Sequence, residues 1–334
     1  MWRLAFTYLG ALVGAGFASG QELLRFFAVY GVKGIGGALV AGVLLGLLGY
    51  LALKIVSKEK INDYGQFLNY LFGPYWGLIM DGFLSLFLLL SLAVMLVAGG
   101  SLGAEQGLAF SWGFVLTAFF TGWVLLIGKE GVLWLNTFLI PGLLILTILI
   151  SLNSLLSDLE IVRVIGRPDL IGTNWLKALF LYAAYNFVLG ASLLASLGGT
   201  DQKKIKGIFY GGIIFGGIAA LISGALYQKL SLVKFRSLPF LVLAQAFAPA
   251  WAKLYAFFLW AAIFTTALGL GWGLVKRCER LIRAPRWLIL LGLFLLTLPF
   301  LAWSLPEMVE FVYPFIGYGG LVLGAGLLYK WFVK

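Results

Sequence analysis

The chain has 334 residues, of which 62% are hydrophobic and 11% are charged, and its mean hydropathy is +1.02. This composition excludes a soluble domain and predicts an all-α membrane protein that crosses the bilayer many times. The net charge of +11 does not indicate nucleic-acid binding, because Lys and Arg fall in short clusters between apolar segments. With no histidine and a single cysteine, Cys278, the sequence argues against an enzyme with zinc, redox or Ser-His-Asp chemistry.

Ten apolar segments reach the length of about 20 residues that a membrane helix needs. In chain order they lie near residues 3–30, 34–56, 75–100, 109–127, 130–152, 174–198, 207–228, 251–275, 286–304 and 308–332. Residues 61–72 fit an amphipathic helix at the membrane surface. The apolar segment 238–248 is too short to cross and is bracketed by proline, which favours a re-entrant or capping helix. We expect one membrane domain that spans residues 1–334.

The first span is interrupted by glycine. Four glycines stand where an unbroken helix would favour better helix formers: Gly10, Gly14, Gly16 and Gly20. Each costs roughly 1 kcal/mol relative to alanine in a helix interior. Gln21, Glu22 and Arg25 follow at a depth where ionisable groups usually mark a pathway or a site. The segment therefore predicts a broken helix whose loosened backbone forms half of a binding site.

The sixth span has a similar character, with Tyr182, Tyr185, Asn186 and Gly190 in its middle. Ten spans divide into two sets of five, residues 1–153 and residues 174–332, and the sixth span begins the second set. Paired glycine-bearing spans at matching positions of two halves indicate a transporter site between inverted repeats.

More Lys and Arg residues fall on the side that holds both termini, so the positive-inside rule predicts cytoplasmic termini. We expect the protein to lie in the cytoplasmic (inner) membrane of a bacterium.

The string LVGAGF at residues 12–17 resembles the Gly-small-Gly signature of the broken first helix in the amino acid, polyamine and organocation (APC) transporter superfamily. The longer segment, residues 8–27, resembles the YkvI-like bacterial membrane proteins placed in that superfamily. This resemblance implies the LeuT-type fold, a five-plus-five inverted repeat in which helices 1 and 6 are broken. It also implies a secondary transporter that works by alternating access.

A sodium site follows from the same resemblance. Ala262, Thr265 and Thr266 have a spacing similar to the Ala-x-x-Thr-Ser/Thr arrangement of the sodium site in sodium-coupled members. Alignment on the glycines of the first helix nominates the carbonyls of Gly10 and Val13 as further ligands. The alternative is that the Thr hydroxyls only bond the carbonyl four residues earlier. Some proton-coupled members place a Lys on the fifth span, and residues 133–151 contain none, which favours sodium.

The substrate would bind between the breaks of helices 1 and 6. The residues expected to line the site are Gly14, Ala15, Gly16, Phe17 and Ala18 from the first span and Tyr185, Asn186, Phe187, Val188 and Leu189 from the sixth. Freed N–H groups favour a carboxylate, whereas freed carbonyls and an acid favour an amine. An α-amino acid carries both groups.

Glu22 has three open roles: it could bind a substrate ammonium, accept a coupled proton, or pair with Arg25 in an outer gate. We assign Gln21 and Arg25 to the gate and include Glu22 in the substrate site. The prediction is a Na⁺-coupled symporter of an amino acid or related small amine, with no cofactor besides the coupling ion. The alternatives are a proton-coupled transporter or exchanger of the same substrates, and a sensor with the same fold that does not transport. Besides the substrate and Na⁺, the expected partner is the lipid bilayer that surrounds the protein. The identity of the substrate, the direction of transport and the oligomeric state stay open.

Overall fold

The computed structural model describes residues 1–127, 136–157, 171–198, 200–201 and 204–333, and every regular element within them is helical. The helices are Trp2–Leu12, Ala15–Ser19, Gln21–Phe26, Val32–Lys58, Tyr64–Glu105, Phe110–Ile127, Asn136–Leu156, Trp175–Ala195, Lys206–Gln228, Leu230–Val233, Pro239–Phe247, Pro249–Leu281, Arg286–Thr297 and Leu305–Val333, with 3₁₀ turns at Ala28–Tyr30 and Leu298–Ala302. Residues 130–135 of the predicted fifth span and residues 158–170 of the loop after it lie outside the described residues.

Eight of these helices are long and apolar enough to cross a membrane. The other two predicted spans correspond to the interrupted segment at residues 2–26 and to the shorter apolar segment Arg286–Ala302. Large apolar side chains cover the outer surface; Trp112 and Phe119 are 63% and 61% exposed, as expected for residues that face lipid. The chain is a multi-pass membrane protein, as the composition predicts. The count of ten spans and the division into repeats at 1–153 and 174–332 stay predictions.

The first span is broken in its middle, as expected. Trp2–Leu12 ends where Val13 becomes extended, with φ −83° and ψ 92°, and Gly14 follows with φ −101° and ψ −179°. The amide of Gly14 donates to the carbonyl of Leu12 at 3.2 Å. In a continuous helix that amide would instead bond Gly10. The break therefore releases backbone groups at the centre of the span.

A second interruption falls at Gly20, whose φ of +80° lies in the left-handed region that favours glycine. A Cβ at Gly20 would lie 3.0 Å from the Cβ of Phe240. Phe240 belongs to the short helix Pro239–Phe247, which packs directly on the first span. We call Pro239–Phe247 the cap helix; with nine residues it is too short to cross a membrane, as predicted for this segment.

The sixth span is continuous, so the prediction of a broken helix 6 is wrong. Trp175–Ala195 forms one helix of 21 residues. Residues 182–189 contain neither glycine nor proline, so each amide can bond the carbonyl four residues earlier. Asn186, a polar residue in the middle of this span, donates its Nδ2–H to the carbonyl of Tyr182 at 3.0 Å and so satisfies a group of its own helix. Gly190 is a packing position, because a Cβ there would lie 2.8 Å from the ring of Tyr8.

Glycine contacts bring the helices around the site close together. A Cβ at Gly42 would lie 2.4 Å from the Cα of Gly216, so helices Val32–Lys58 and Lys206–Gln228 cross in direct backbone contact. A Cβ at Gly320 on the last helix, Leu305–Val333, would lie 2.3 Å from the carbonyl oxygen of Ala184. The sixth span is therefore held tightly against the last helix.

An ion pair joins two long helices at the end where the eighth span finishes. Arg277 donates from Nη1 to Asp81 Oδ1 at 2.7 Å and to Ser85 Oγ at 3.1 Å. Arg277 lies on Pro249–Leu281 and Asp81 on Tyr64–Glu105. Tyr64–Glu105 bends at Gly73, with φ 79° and ψ 172°, which separates a short first segment from the long membrane segment.

Candidate functional site

Glu22 is the centre of the candidate site. It lies in the first turn of Gln21–Phe26, directly after the turn at Gly20, and only 6% of it is exposed. Its carboxylate accepts hydrogen bonds from the hydroxyls of Tyr185 on the sixth span and Tyr313 on the last helix. A buried carboxylate needs such donors, because an unpaired one costs several kcal/mol. Three elements therefore meet at one acid.

The first span contributes a second contact to this acid through Gly16. A Cβ at Gly16 would lie 1.7 Å from Oε1 of Glu22 and 2.8 Å from the hydroxyl of Tyr313. Those distances are far below van der Waals contact, so the carboxylate reaches the backbone of Ala15–Ser19 only because residue 16 has no side chain. The interrupted backbone and the acid thus belong to the same site.

Aromatic rings surround the carboxylate. Tyr185 and Tyr313 stack with their centroids 4.9 Å apart, and Phe26 lies 5.7 Å from Tyr185. Tyr182 meets Tyr185 edge-on at 5.2 Å. The Tyr182 hydroxyl is buried as well. A carboxylate among ring faces is an arrangement that attracts cations.

The break itself borders open space. Nothing lies within 4 Å of the position that a Cβ on Gly14 would occupy. Across the described ranges, no backbone amide bonds the carbonyl of Val13, and the amide of Gly14 is turned toward Leu12. In a membrane span, backbone carbonyls without a helical partner need another ligand. The break thus leaves the carbonyl of Val13 without a helical partner among the described residues, and the roles of Gly10 and Val13 as cation ligands stay predictions.

Most of the remaining residues predicted for the substrate site are buried, and several of them contact other neighbours. Phe17 packs on Phe215 with centroids 5.1 Å apart, and Val188 contacts the last helix at Gly320. Asn186 bonds its own helix. The other members that the structure buries are Ala15, Ala18 and Phe187, whereas Leu189 is half-buried. The structure thus brings Gly16, Glu22 and Tyr185 into contact, and it directs Phe17, Asn186 and Val188 into packing.

The predicted sodium ligands on the eighth span occupy one helix. The hydroxyl of Thr265 donates to the carbonyl of Ala261 at 3.0 Å and to that of Ala262 at 3.3 Å. This bond uses the hydroxyl proton and leaves the oxygen lone pairs for an ion. Thr266 is half-buried. The sodium site stays a prediction.

A further bond connects the eighth span with the first. The hydroxyl of Tyr255 donates to the carbonyl of Ala18, near the end of Ala15–Ser19. Tyr255 is fully buried and also lies within hydrogen-bond reach of Thr147 on Asn136–Leu156. This bond anchors the interrupted span to two neighbouring helices.

The two residues predicted for the gate make contacts beyond the first span. Gln21 donates from Nε2 to the carbonyl of Arg236 at 2.7 Å, in the loop before the cap helix. Arg25 forms an ion pair with Glu310 on the last helix, and their side chains are 19% and 23% exposed. Of the three roles open to Glu22, pairing with Arg25 is the one that these contacts do not support.

Sequence reasoning missed Glu310 and Tyr313. Both lie on the last helix three residues apart, and therefore on one face of it. Glu310 is an ionisable residue inside an apolar helix, the same signal that pointed to Glu22. The signal was present, but only the tertiary structure shows which helix faces Arg25.

Comparisons with known proteins agree with this architecture. No protein-family model matches the chain. The chain is 27% identical over 333 residues to the uncharacterized membrane protein YkvI of Bacillus subtilis, with 98% of this chain and 95% of YkvI covered. It is 30% identical over 339 residues to the uncharacterized protein YyaD of the same organism, with 98% and 97% covered. The chain belongs to the YyaD family.

Solved structures show the fold of this YyaD-family protein. MhsT in complex with L-phenylalanine superimposes with a TM-score of 0.64 at 17% identity, over 96% of this chain and 87% of MhsT. A mutant of a manganese transporter from Eremococcus coleocola gives a TM-score of 0.63 at 15% identity, over 97% of this chain and 78% of that chain. The fold is the LeuT type implied by the glycines of the first span.

Proposed function

We propose that this YyaD-family protein is a Na⁺-coupled secondary transporter of an amino acid or related small amine that works by alternating access. The observation that carries the proposal is the interruption of the first span at Val13 and Gly14, beside the buried carboxylate of Glu22. MhsT, which shares the fold, is described in complex with L-phenylalanine. A broken helix next to a buried acid offers both backbone groups and a charge to a bound substrate.

The chemistry around Glu22 suits an ammonium group. The site offers one carboxylate, two tyrosine hydroxyls and several ring faces. Through ionic, hydrogen-bond and cation–π contacts, these groups can replace the water around a substrate ammonium group. A manganese transporter shares the fold, but Mn²⁺ prefers several carboxylate, carbonyl or water oxygens. A single acid in an aromatic setting therefore favours an amine over a divalent metal.

A contact between the first and eighth spans supports the proposed sodium site. The hydroxyl of Tyr255 donates to the carbonyl of Ala18 and so joins the eighth span to the first. The eighth span also packs on Asn136–Leu156. Because Tyr255 reaches Thr147 and Phe258 lies against Gly142, these two helices run antiparallel. At about 1.5 Å per residue, Thr265 lies roughly 15 Å along its helix from Tyr255. Gly10 and Val13 precede Ala18 by eight and five residues on the first span, so both sets of proposed ligands lie within a few helical turns of the contact between Tyr255 and Ala18, which supports the proposal.

Transport requires these contacts to change. The site residues that gather at Glu22 are buried, so substrate can enter only when helices move. The pair Arg25–Glu310 and the bond from Gln21 to Arg236 hold the outer half of the first span against the last helix and the cap loop. Opening toward the outside would separate them, and Na⁺ between the first and eighth spans would favour that state. In this proposal both termini lie in the cytoplasm, as the distribution of Lys and Arg predicts.

Uptake by proteoliposomes tests the sodium site. In Thr265→Ala/Thr266→Ala, two of the proposed ligands are lost, and we expect the Na⁺ concentration for half-maximal uptake to rise at least tenfold, about 1.4 kcal/mol. Thr117→Ala is the matched control, because Thr117 makes the same kind of bond to the carbonyl four residues earlier, 2.8 Å from Gly113. An unchanged sodium dependence in the double variant would remove the proposed site.

The same vesicles separate the alternative functions. Uptake driven by a pH gradient without Na⁺ would indicate a proton-coupled transporter. Countertransport that needs only substrate on both sides would indicate an exchanger. A substrate-induced rise in melting temperature with no uptake would indicate a sensor.

A further inference from the structure

A cavity lined by charged side chains lies at the ends of several helices, and Glu22 is not among its lining residues. It has a volume of about 470 Å³ and is lined by Lys54, Ile55, Lys58, Glu59, Tyr70, Lys330 and Trp331. We call it the lysine pocket. Its walls come from the end of Val32–Lys58, the segment of Tyr64–Glu105 before the bend at Gly73, and the end of the last helix. Ends of membrane helices together with a surface segment place the pocket at the membrane–water boundary.

Aromatic rings contact two of the three lysines in the lysine pocket. The Nζ of Lys54 lies 4.8 Å from the ring centroid of Trp331 and 5.8 Å from that of Tyr50. The Nζ of Lys330 lies 5.7 Å from the ring of Tyr70. Cation–π contacts orient an ammonium but leave its charge in place. Within the described part of the chain, none of the three lysines forms a salt bridge, and Glu59 is the one acid in the lining.

A second basic cluster differs from the lysine pocket, because an acid of the chain pairs with both of its cations. Lys276 and Arg286 also lie over a tryptophan, 4.8 Å and 5.4 Å from the ring of Trp272. Both pair with Glu279, at 3.5 Å and 2.8 Å. The protein supplies the counterion for that cluster, whereas the lysine pocket holds three cations and one acid. An anion from outside the chain would balance the remaining charge.

We propose that the lysine pocket binds the phosphate group of an anionic phospholipid such as phosphatidylglycerol. Basic pockets between membrane helices bind acidic headgroups, and Trp and Tyr favour the headgroup level of the bilayer. Inorganic phosphate shares the charge but lacks acyl chains. Tyr329 and Phe332, which flank the two lining residues of the last helix, are 63% and 80% exposed and offer apolar surface to such chains.

Native mass spectrometry and thermal unfolding of the full chain test this proposal. The variant Lys54→Gln/Lys58→Gln/Lys330→Gln is compared with the matched control Lys276→Gln/Arg286→Gln, and each is titrated with phosphatidylglycerol, phosphatidylcholine and inorganic phosphate. We expect phosphatidylglycerol to bind the parent chain and the control equally, and to bind the triple variant about a hundredfold more weakly. Phosphatidylcholine and inorganic phosphate should not change the melting temperature.

Equal binding of phosphatidylglycerol by the triple variant would overturn the proposal. So would an equal stabilisation by inorganic phosphate, which would identify a site for a soluble anion. Should the triple variant fail to fold, two other variants decide: Lys58→Gln, at an exposed position, should weaken binding, and Lys54→Arg/Lys58→Arg/Lys330→Arg should retain it. Loss of binding in the arginine variant would contradict a charge-based site.

Discussion

The first and sixth spans face each other across Glu22 and have opposite backbones. The first is interrupted at Val13–Gly14 and again at Gly20, whereas the sixth is one helix from Trp175 to Ala195. The first therefore contributes backbone groups and a charge, and the sixth contributes side chains, chiefly the hydroxyl of Tyr185. The difference teaches that the two halves of the site need not have equivalent structures even where both spans contain glycine.

Maintaining the break requires compensating bonds, which the first span has. The hydroxyl of Ser19 donates to the carbonyl of Gly16 at 2.8 Å and accepts from the amide of Gln21 at 3.2 Å. Tyr255 donates to the carbonyl of Ala18. Such bonds satisfy backbone groups that lipid cannot. The sixth span needs no such bonds, because it satisfies its backbone internally.

The largest expected effect comes from the charge on the first span. Glu22→Gln keeps the size of the side chain but removes the charge that we propose as the partner of the substrate ammonium. Loss of one member of a buried charge pair costs about 3–5 kcal/mol, so we expect the substrate Kd to rise more than a hundredfold. Isothermal titration calorimetry or radioligand binding measures it.

The matched change on the sixth span is Tyr185→Phe, which removes one hydrogen bond to the same carboxylate. A bond to a charged group contributes about 1.5–3 kcal/mol, so a rise of ten- to a hundredfold in Kd is expected. If the rise in Kd for Tyr185→Phe equalled or exceeded the rise for Glu22→Gln, the sixth span would contribute more to substrate binding than its continuous backbone suggests.

Glycine substitutions give the next largest effect, and they distinguish a glycine that borders open space from one that is needed for close packing. Gly14→Val places methyl groups in open space, so we expect substrate Kd to rise about tenfold while the melting temperature changes little. Gly190→Ala places a Cβ 2.8 Å from the ring of Tyr8, and such overpacking costs about 1–3 kcal/mol of stability. Thermal unfolding and ligand binding should therefore respond in opposite ways to the two variants. A large drop in stability for Gly14→Val would show that the space at the break is needed for folding.

The smallest expected effect is at the outer end of the first span. The pair Arg25–Glu310 is partly exposed, and such pairs contribute about 1 kcal/mol or less. Arg25→Gln should therefore speed substrate release less than about fivefold, with binding itself nearly unchanged. The reversed pair Arg25→Glu/Glu310→Arg should restore slow release in a stopped-flow measurement. A failure of the reversed pair to restore it would show that Arg25 does not act through Glu310.

Several parts of the site could be predicted because they depend on local sequence. Gly14 and Gly20 mark interruptions of the first span, and Glu22 follows them within one turn. The break predicted for the sixth span failed because polar side chains such as Asn186 can bond the helix that carries them. A polar residue in a membrane helix therefore indicates a need for a partner, and does not identify it.

The sequence by itself determined the membrane class, the helical architecture, the interruption of the first span and the acid beside it. These follow from hydropathy and from backbone preferences of glycine, which act within a few residues. Only the tertiary structure decided that Tyr185 and Tyr313 hold Glu22, that Arg25 pairs with Glu310, and that three lysines share one pocket. Such contacts join residues up to about three hundred positions apart, and their geometry depends on how the helices pack, which no local pattern encodes.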